Sequence, residues 1–474
     1  MIGEGDYTSR QRKGCIKMKK KQLDMLHGSL WNKIPIFALP IAATAILEQL
    51  FNASDIAVVG NFTGTGKTIA VAAVGANSSI ISLIVNLFVG IALGANVVIA
   101  NAIGREDKKT VQKAVHSSMV FAVLGGIVVA VIGECIASPL LQSLQVPPDV
   151  FSEALLYLRI YLLGMPVILL YNFEAAIFRS VGDTRTSLVS LTMSGILNVL
   201  LNLFFVAVLH MTVNGVAVAT VIANAVSSML LLKQLLKTEQ VIHVDLHELR
   251  IDVPIFLKIM KIGLPAGIQS AVFAFANIVI QGAINSLGTI VMAASSAAFN
   301  IEIFAYDVLN SFSQACTTFV GQNYGAGNIK RCRKILFLCI IEDAIATLTA
   351  VLLVLFIGKS LLSIFNNDPH VVSIGYTRLL MVFSAYTFSM LYENMSGYLR
   401  GFGISLMPAI LTIIGVCGVR LFWVFVIFPL YHTFPGILAA YPASLSTTAL
   451  MMFILLMVDR PSKKFKEKEN EAIK

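Results

Sequence analysis

The sequence contains few charged residues, and this scarcity excludes most soluble proteins. Only 13% of its 474 residues are Asp, Glu, Lys or Arg, whereas soluble globular domains carry about 25%. Apolar residues make up 57% of the chain, and the mean hydropathy is +0.81. A soluble domain of this length could not bury so much apolar surface. The composition therefore predicts an integral membrane protein, and the long continuous apolar runs favour spanning helices over the short alternating strands of a barrel.

The motifs of common enzymes and metal centres are also missing. The six cysteines form no Cys-x-x-Cys pair, and we interpret them as packing residues. The stretch 64–68 resembles a phosphate-binding loop, but Asn61 stands where that loop requires its first glycine. His243 and His247 have a spacing that could bind a metal, but a solvated linker is the simpler interpretation. We therefore predict no enzymatic activity, no cofactor and no metal site.

Twelve apolar runs are long enough to cross a bilayer as helices. They lie near residues 34–60, 69–102, 114–138, 151–178, 187–209 and 213–236, and near 262–285, 290–324, 335–357, 371–399, 405–429 and 435–458. They predict a basic tail at 1–32, an N-lobe at 33–236, a linker at 237–261, a C-lobe at 262–458 and a charged tail at 459–474. The mixed charges of the linker predict an amphipathic surface helix.

The positions of the basic residues predict the orientation of the chain. All but five of the 35 Lys and Arg residues lie in the two tails and in alternate loops. The exceptions are Lys67 and Lys359 in the opposite loops, and Arg159, Arg378 and Arg420 within spans. By the positive-inside rule, both termini are then cytoplasmic. The net charge of +9 thus indicates a multi-pass protein of the cytoplasmic membrane, with the lipid bilayer and not nucleic acid as its partner; we expect a monomer.

The second half of the chain repeats the first. The matching pairs, 219 to 225 residues apart, are Pro40 and Pro265, Asn52 and Asn277, Gly104 and Gly325, Arg159 and Arg378, Tyr171 and Tyr392, and Arg179 and Arg400. Each half has six spans, an even number, so the halves have the same orientation and are related by an axis along the membrane normal. Such a repeat predicts a site between two lobes and suits alternating access. Pro40 and Pro265 are expected to bend their helices.

Polar side chains inside the N-lobe spans are candidates for an ion site, because a charge in the bilayer is costly. Glu48 and Asp55 lie seven residues apart on one face of span 1, and Asn198 and Asn202 lie on one face of span 5. A buried carboxylate there could exchange a proton, or bind Na⁺ or an organic cation. Two simpler interpretations stay open: a solvated carboxylate near the helix end, and amides that only join neighbouring helices.

The C-lobe contains a second set of candidate substrate contacts, which are Glu302, Tyr306, Glu393 and Arg420. Glu302 and Tyr306 share a face of span 8. Glu302 has two interpretations, an internal ion pair with Arg420 or an anion that faces the substrate. Near the cytoplasmic end of span 4, Glu174 and Arg179 are expected to form an interfacial salt bridge. The adjacent Glu342 and Asp343 in span 9 receive no role.

Over about residues 33–458 the chain resembles the multidrug and toxic compound extrusion (MATE) transporters. The resemblance is carried by Pro40 and Gly104 and by the stretches LEQLFNASDIAVVG, FRSVGDTRTS, ILNVLLNLFFV, NGVAVATVIA, FVGQNYGAGN and YLRGFG. It implies an all-α fold with two six-helix bundles in a V, which exports organic cations in exchange for H⁺ or Na⁺. The loop after span 2 lacks the signature of the major facilitator family, which also has six plus six spans.

Within the family the chain is similar to the DinF-like branch, and this similarity implies roles for single residues. The ion-coupling acid of the branch matches Asp55, and its partners match Asn198, Asn202 and Thr220. Asn202 departs from the branch, which often has Asp there. One interpretation is that Glu48 supplies the missing charge.

Two other functions stay open. A flippase for lipid-linked oligosaccharides would share the architecture, but it would need cationic side chains along its cavity to bind pyrophosphate. Only three bases, Arg159, Arg378 and Arg420, lie within spans. A membrane receptor that does not transport would bind its ligand without ion-dependent flux, and an intramembrane enzyme would need a polar catalytic pair. The residues and the resemblance together favour an ion-coupled efflux antiporter for small organic cations.

Overall fold

The computed structural model describes residues 23–63, 67–144, 146–366, 368–459 and 461. Most of the predicted N-terminal tail, the tail beyond residue 461 and part of the loop at 64–68 therefore lie outside the described residues. Within the described ranges the chain is helical and has no strand. This confirms the predicted all-α class.

Within the described residues, up to twelve helical spans form the two lobes, in agreement with the predicted number. Ten long helical segments are apolar enough to cross a membrane, and two bent helix pairs raise the number to twelve. The N-lobe helices are α1 Lys33–Phe62, α2 Lys67–Gly104, α3 Lys108–Ser143, α4 Pro148–Leu163, α5 Met165–Ser180, α6 Arg185–Leu203 and α7 Val213–Lys237. The C-lobe helices are α8 Val253–Asn285, α9 Thr289–Gly325, α10 Ile329–Phe365, α11 Pro369–Ser384, α12 Tyr386–Gly401, α13 Leu406–Thr412, α14 Val419–Phe422, α15 Phe434–Leu438 and α16 Ala440–Asp459.

The outer surface of the bundle is apolar. Large side chains project from it, and Phe356 is 90% exposed, Phe425 70% and Ile364 78%. A soluble protein of this size would bury such side chains. The exposed apolar belt is therefore the surface that faces lipid.

Spans 4 and 10 are bent, which the apolar pattern did not predict. The axes of α4 and α5 differ by 50° at Gly164, and those of α11 and α12 differ by 44° at Ala385. Pro166 in the first turn of α5 lacks an N–H donor, which explains the first break. No proline marks the second break. Pro40 and Pro265 lie inside α1 and α8, and both helices continue through them.

Residues 238–252 of the predicted linker, all of them described, form no amphipathic helix, whereas residues 253–261 are the first turns of α8. Only a 3₁₀ turn, Leu246–Glu248, interrupts residues 238–252, and α8 begins nine residues before the predicted boundary. Asp252 caps α8 by accepting a hydrogen bond from the Ile255 N–H, and Pro254 favours the first turn. Lys113 Nζ lies 2.8 Å from Asp252 Oδ2. The hydrogen bond from Lys113 holds the pKa of Asp252 below its usual range.

The lobes have separate cores at one end and pack together at the other. Val58 and Val74 belong to an apolar cluster of the N-lobe, whereas Ile280 and Ile284 belong to a C-lobe cluster. At the opposite end, which we call the inner end, Phe37 of α1 packs edge-on against Phe319 of α9 with ring centroids 5.5 Å apart. The beginning of α1 thus packs in the C-lobe core, although its sequence position assigns it to the N-lobe.

A symmetric pair of contacts closes the inner end. Asn101 Nδ2 donates to the Gly401 carbonyl at 3.2 Å, and Gln322 Nε2 donates to the Ser180 carbonyl at 2.7 Å. Both donors and both acceptors are 221 residues apart, so each bond is the repeat of the other. The ends of α2 and α9 cross so closely that a Cβ on Gly104 would overlap the Gln322 carbonyl, and one on Gly325 would overlap that of Asn101. We call these contacts the inner latch.

Candidate ion and substrate site

A buried carboxylate lies in the N-lobe where three helices meet. Asp55, in the outer half of α1, is 5% exposed. Asn202 on α6 donates from Nδ2 to Asp55 Oδ1 at 2.5 Å, and Thr220 on α7 donates from Oγ1 to Asp55 Oδ2 at 3.1 Å. The helices α1 and α6 approach closely because Gly195 has no side chain to overlap the Phe51 ring. Each carboxylate oxygen therefore accepts one hydrogen bond.

The amides of α6 complete this cluster. Asn202 Nδ2 also donates to Asn198 Oδ1 at 3.2 Å, and Asn198 Nδ2 donates to Thr220 Oγ1 at 3.4 Å. Asn202 Oδ1 is buried without a hydrogen-bond partner in the described part of the chain. The four residues predicted to lie together thus do so, while their role in ion coupling stays a prediction. Because all three partners are neutral, ionised Asp55 needs an incoming cation to balance its charge.

Glu48 does not belong to the Asp55 cluster. Seven residues of α1, about 10 Å along the axis, separate the two carboxylates. The Glu48 side chain is exposed, and its charged neighbours are Arg179 of the N-lobe and Asp307 of the C-lobe. This geometry does not support the interpretation that Glu48 replaces a carboxylate at position 202. It places Glu48 at the space between the lobes instead.

Glu302 in the C-lobe forms an ion pair with an arginine, but the partner predicted from the sequence is wrong. Arg378 of α11 binds Glu302 of α9 through two parallel hydrogen bonds, Nη2 to Oε1 at 2.8 Å and Nε to Oε2 at 3.0 Å. Both side chains are buried. Ser295 and Tyr441 accept the remaining bonds of the guanidinium at 2.9 and 3.2 Å. The face of α9 that carries Glu302 packs on α11, and this contact places Arg378 next to Glu302.

Arg420, the predicted partner of Glu302, has neutral neighbours. Its Nη1 donates to Asn277 Oδ1 at 2.6 Å and its Nε donates to Ser444 Oγ at 3.2 Å. The guanidinium carbon lies 4.5 Å from the Tyr441 ring centre and 5.1 Å from that of Phe273. The Phe273 ring stacks on Tyr306 at 6.3 Å. Arg420 and Tyr306 thus belong to a polar and aromatic cluster on α8, α9, α14 and α16.

Two further carboxylates have structural partners. Glu393 of α12 pairs with Arg400, with 3.5 Å between Oε2 and Nη2, and both side chains are buried. The expected salt bridge between Glu174 and Arg179 is wrong, because five residues along a helix turn the two side chains to different faces. Glu174 is fully buried and accepts a hydrogen bond from Ser228 Oγ at 2.9 Å.

Asp307 and Asp343, two acids without a role predicted from the sequence, are both buried. Asp307 is a charged neighbour of Glu48 across the two lobes, and its Oδ2 is buried without a partner among the described residues. Asp343 is completely buried in the C-lobe, where Asn394 binds it. Both acids lie inside predicted spans. This position could have marked them as functional candidates, because an acid in a membrane helix is costly.

The two six-span bundles, joined at one end and with separate cores at the other, have the architecture of a membrane transporter. The chain belongs to the MatE family, whose model matches residues 40–204 and 265–426. The first matched stretch lies in the N-lobe and the second in the C-lobe. The match therefore confirms the resemblance, and the same family model matches a stretch in each lobe.

Relatives and solved structures agree with this family. The chain is 24% identical over 436 residues to the probable multidrug resistance protein YoeA of Bacillus subtilis (strain 168), covering 90% of this chain and 93% of that protein. It is 25% identical over 437 residues to the probable multidrug resistance protein NorM of Thermotoga maritima, covering 88% and 90%. An outward-facing structure of a multidrug resistance MATE family transporter superposes with a TM-score of 0.85 at 20% identity, covering 95% of this chain and 100% of the other. The superposition confirms the predicted fold.

Proposed function

We propose that this chain is a secondary active multidrug efflux antiporter, which exports small organic cations in exchange for H⁺ or Na⁺. The observation that carries the proposal is Asp55, a buried carboxylate with only neutral hydrogen-bond partners, Asn202 and Thr220. Such a group can exchange one bound cation for another, whereas a carboxylate already paired with arginine cannot. The names of the relatives YoeA and NorM, both probable multidrug resistance proteins, support the substrate class.

The arrangement of the lobes supports alternating access. The inner latch joins the lobes at the end where α2 and α9 finish, while the apolar cores at the other end are separate. With the cytoplasm at the inner end, as the basic residues predict, this form opens outward. Neutralisation of Asp55 by an ion from outside would release the organic cation, and loss of that ion inside would allow reloading.

The energetics restrict what drives the exchange. One charge moved across 100 mV is worth about 2.3 kcal/mol. A one-for-one exchange of two monovalent cations moves no net charge, so the membrane potential contributes nothing to it. At that stoichiometry only the pH difference or the Na⁺ difference drives export.

Flux in proteoliposomes tests the proposal. The export of a fluorescent organic cation is measured under a pH gradient and, separately, under a Na⁺ gradient, for the natural chain, Asp55→Asn and Glu134→Gln. Glu134 is a half-buried N-lobe carboxylate that pairs with Arg159 at 3.4 Å and serves as a matched control. We expect one gradient to drive export, Asp55→Asn to abolish it, and Glu134→Gln to retain it. Gradient-driven export by Asp55→Asn would overturn the assignment.

The three arginines that the sequence places within spans give no support to the flippase alternative. Arg378 is bound by the Glu302 carboxylate, and Arg420 is bound by Asn277 and lies over two aromatic rings. Arg159 pairs with Glu134. A pyrophosphate would have to replace these partners. Transport of a labelled lipid-linked oligosaccharide by the same proteoliposomes, with no flux of organic cations, would favour the flippase.

A further inference from the structure

The C-lobe contains a polar cluster that resembles the Asp55 cluster but has one amide in place of two. Asn394 of α12 donates from Nδ2 to Asp343 Oδ2 at 2.6 Å, and Thr347 donates from Oγ1 to Asp343 Oδ1 at 2.7 Å. One carboxylate, one amide and one threonine hydroxyl form the site, and each carboxylate oxygen accepts one bond, as each oxygen of Asp55 does. The internal repeat does not explain this likeness, because Asp343 is on span 9 whereas Asp55 is on span 1.

Both clusters leave one amide oxygen free. Asn394 Oδ1 is buried without a hydrogen-bond partner in the described ranges, and so is Asn202 Oδ1 in the N-lobe. Asn394 is 0% exposed, so water does not satisfy this oxygen from the surface. The free oxygen belongs to the same amide group whose Nδ2 donates to Asp343. A carboxylate and an amide oxygen without a hydrogen-bond donor are both oxygen ligands of the kind that a cation takes.

The charges around Asp343 leave the carboxylate uncompensated. Asp343 is 0% exposed, and neither Asn394 nor Thr347 carries a charge. The nearby Glu393 already has a partner in Arg400. A buried carboxylate without a counter-charge is strongly unfavourable, so it either takes up a proton or binds a cation. Glu342 on the same helix adds a further acid and no base.

We propose that Asp343, Asn394 and Thr347 form a second site for a monovalent cation, H⁺ or Na⁺, in the C-lobe. The titratable and charged groups that surround it are few. They are Cys339 and Glu342 on α10, Cys316 on α9, and Tyr392, Glu393 and Arg400 on α12. The site does not depend on the coupling role of Asp55, because a cation can occupy it whether or not Asp55 drives export.

The test uses the purified full-length chain in the Asp55→Asn background, so that its outcome does not depend on the N-lobe. Binding of radioactive Na⁺ is measured at equilibrium for this background, and again after Asp343→Asn, Thr347→Val or Thr349→Val is added. Thr349 is a matched control because its hydroxyl donates to the Ile345 carbonyl on an exposed part of α10. A Na⁺ site predicts one bound Na⁺ in the background, loss of it with Asp343→Asn, and binding about tenfold weaker with Thr347→Val. Thr349→Val should leave the affinity unchanged.

A proton site is distinguished by infrared difference spectra between acidic and alkaline solution without Na⁺. It predicts a protonated-carboxyl band that depends on pH, is absent in Asp343→Asn and is shifted in Thr347→Val. Thr347→Val keeps the side-chain shape, so it reports on the site even if Asp343→Asn fails to fold. If neither Na⁺ binding nor a pH-dependent carboxyl band responds to these two substitutions, the proposal is overturned.

Discussion

Asp55 in the N-lobe and Glu302 in the C-lobe are both buried carboxylates inside spanning helices, but their partners differ in charge. Asp55 accepts hydrogen bonds from the neutral side chains of Asn202 and Thr220. Glu302 is bound at both oxygens by Arg378. Burial alone thus does not identify an exchange site. The neutral partners leave Asp55 able to take up a cation, whereas the arginine fixes Glu302 as a structural ion pair.

The largest expected effect is on stability and comes from breaking the C-lobe ion pair. Glu302→Gln leaves Arg378 charged and buried without its counter-ion, which should cost about 3–5 kcal/mol of unfolding free energy. Thermal unfolding of the purified protein measures this loss. The double variant Glu302→Leu with Arg378→Met should recover most of the stability, because it removes both charges together.

The internal repeat supplies the control for that experiment. Arg159 is the N-lobe match of Arg378, and it pairs with Glu134 at 3.4 Å with side chains 49% and 30% exposed. The pair formed by Arg378 and Glu302 is 1% and 6% exposed. Glu134→Gln should therefore cost only about 0.2–1 kcal/mol. Equal losses of unfolding free energy for Glu134→Gln and Glu302→Gln would contradict the claim that burial makes the Glu302 pair the stronger of the two.

An intermediate effect is expected on cation affinity in the N-lobe. Thr220→Val keeps the shape of the side chain but removes one hydrogen bond to Asp55, which is worth about 1.5–3 kcal/mol when the acceptor is charged. Because that bond stabilises the ionised carboxylate, its loss should change the affinity for the coupling ion by at least about tenfold. The affinity for H⁺ should rise, whereas the affinity for Na⁺ should fall because the hydroxyl oxygen is no longer available to it. The unfolding temperature should change little. Thr192→Val on α6, where the hydroxyl donates to the Leu188 carbonyl, is the control. A similar change of affinity in both variants would show that Thr220 acts only through packing.

The smallest effect, a shift between conformations, is expected at the inner latch, where the two hydrogen bonds between the lobes repeat one another. Asn101→Ala and Gln322→Ala each remove one hydrogen bond between the lobes, worth about 0.5–1.5 kcal/mol. Because the two bonds are repeats of one another, we expect equal shifts of the population toward forms that are open at the inner end. Distances between spin labels on the inner ends of α5 and α12 measure the shift. Unequal shifts would mean that only one of the two bonds holds the lobes together.

Much of the N-lobe site was predictable, because its members sit on helices whose apolar runs are clear. Asp55, Asn202 and Thr220 were expected to meet from the order of the spans together with the family resemblance. The C-lobe was predicted less well. The face of α9 indicated that Glu302 is buried, but a helical face cannot tell whether Arg378 or Arg420 packs against it. That choice depends on how the helices pack, which hydropathy does not report.

Other features depend on contacts that are distant in sequence. Gly104 and Gly325 were recognised as a repeat, but their crossing with Gln322 and Asn101 requires both lobes to be assembled. Asp343 had no visible partner, since Asn394 follows it by 51 residues. The bend at Ala385 could not be predicted from the sequence, because no proline lies there.

The central claim is that an ion and an organic cation compete for Asp55, and equilibrium binding tests it most directly. The affinity of the purified protein for a fluorescent organic cation is measured as H⁺ and, separately, Na⁺ is increased, for the natural chain and for Asp55→Asn. We predict that one of the two ions weakens binding to the natural chain in proportion to its concentration, and that Asp55→Asn loses this dependence. Ion-dependent binding that persists unchanged in Asp55→Asn would contradict the account.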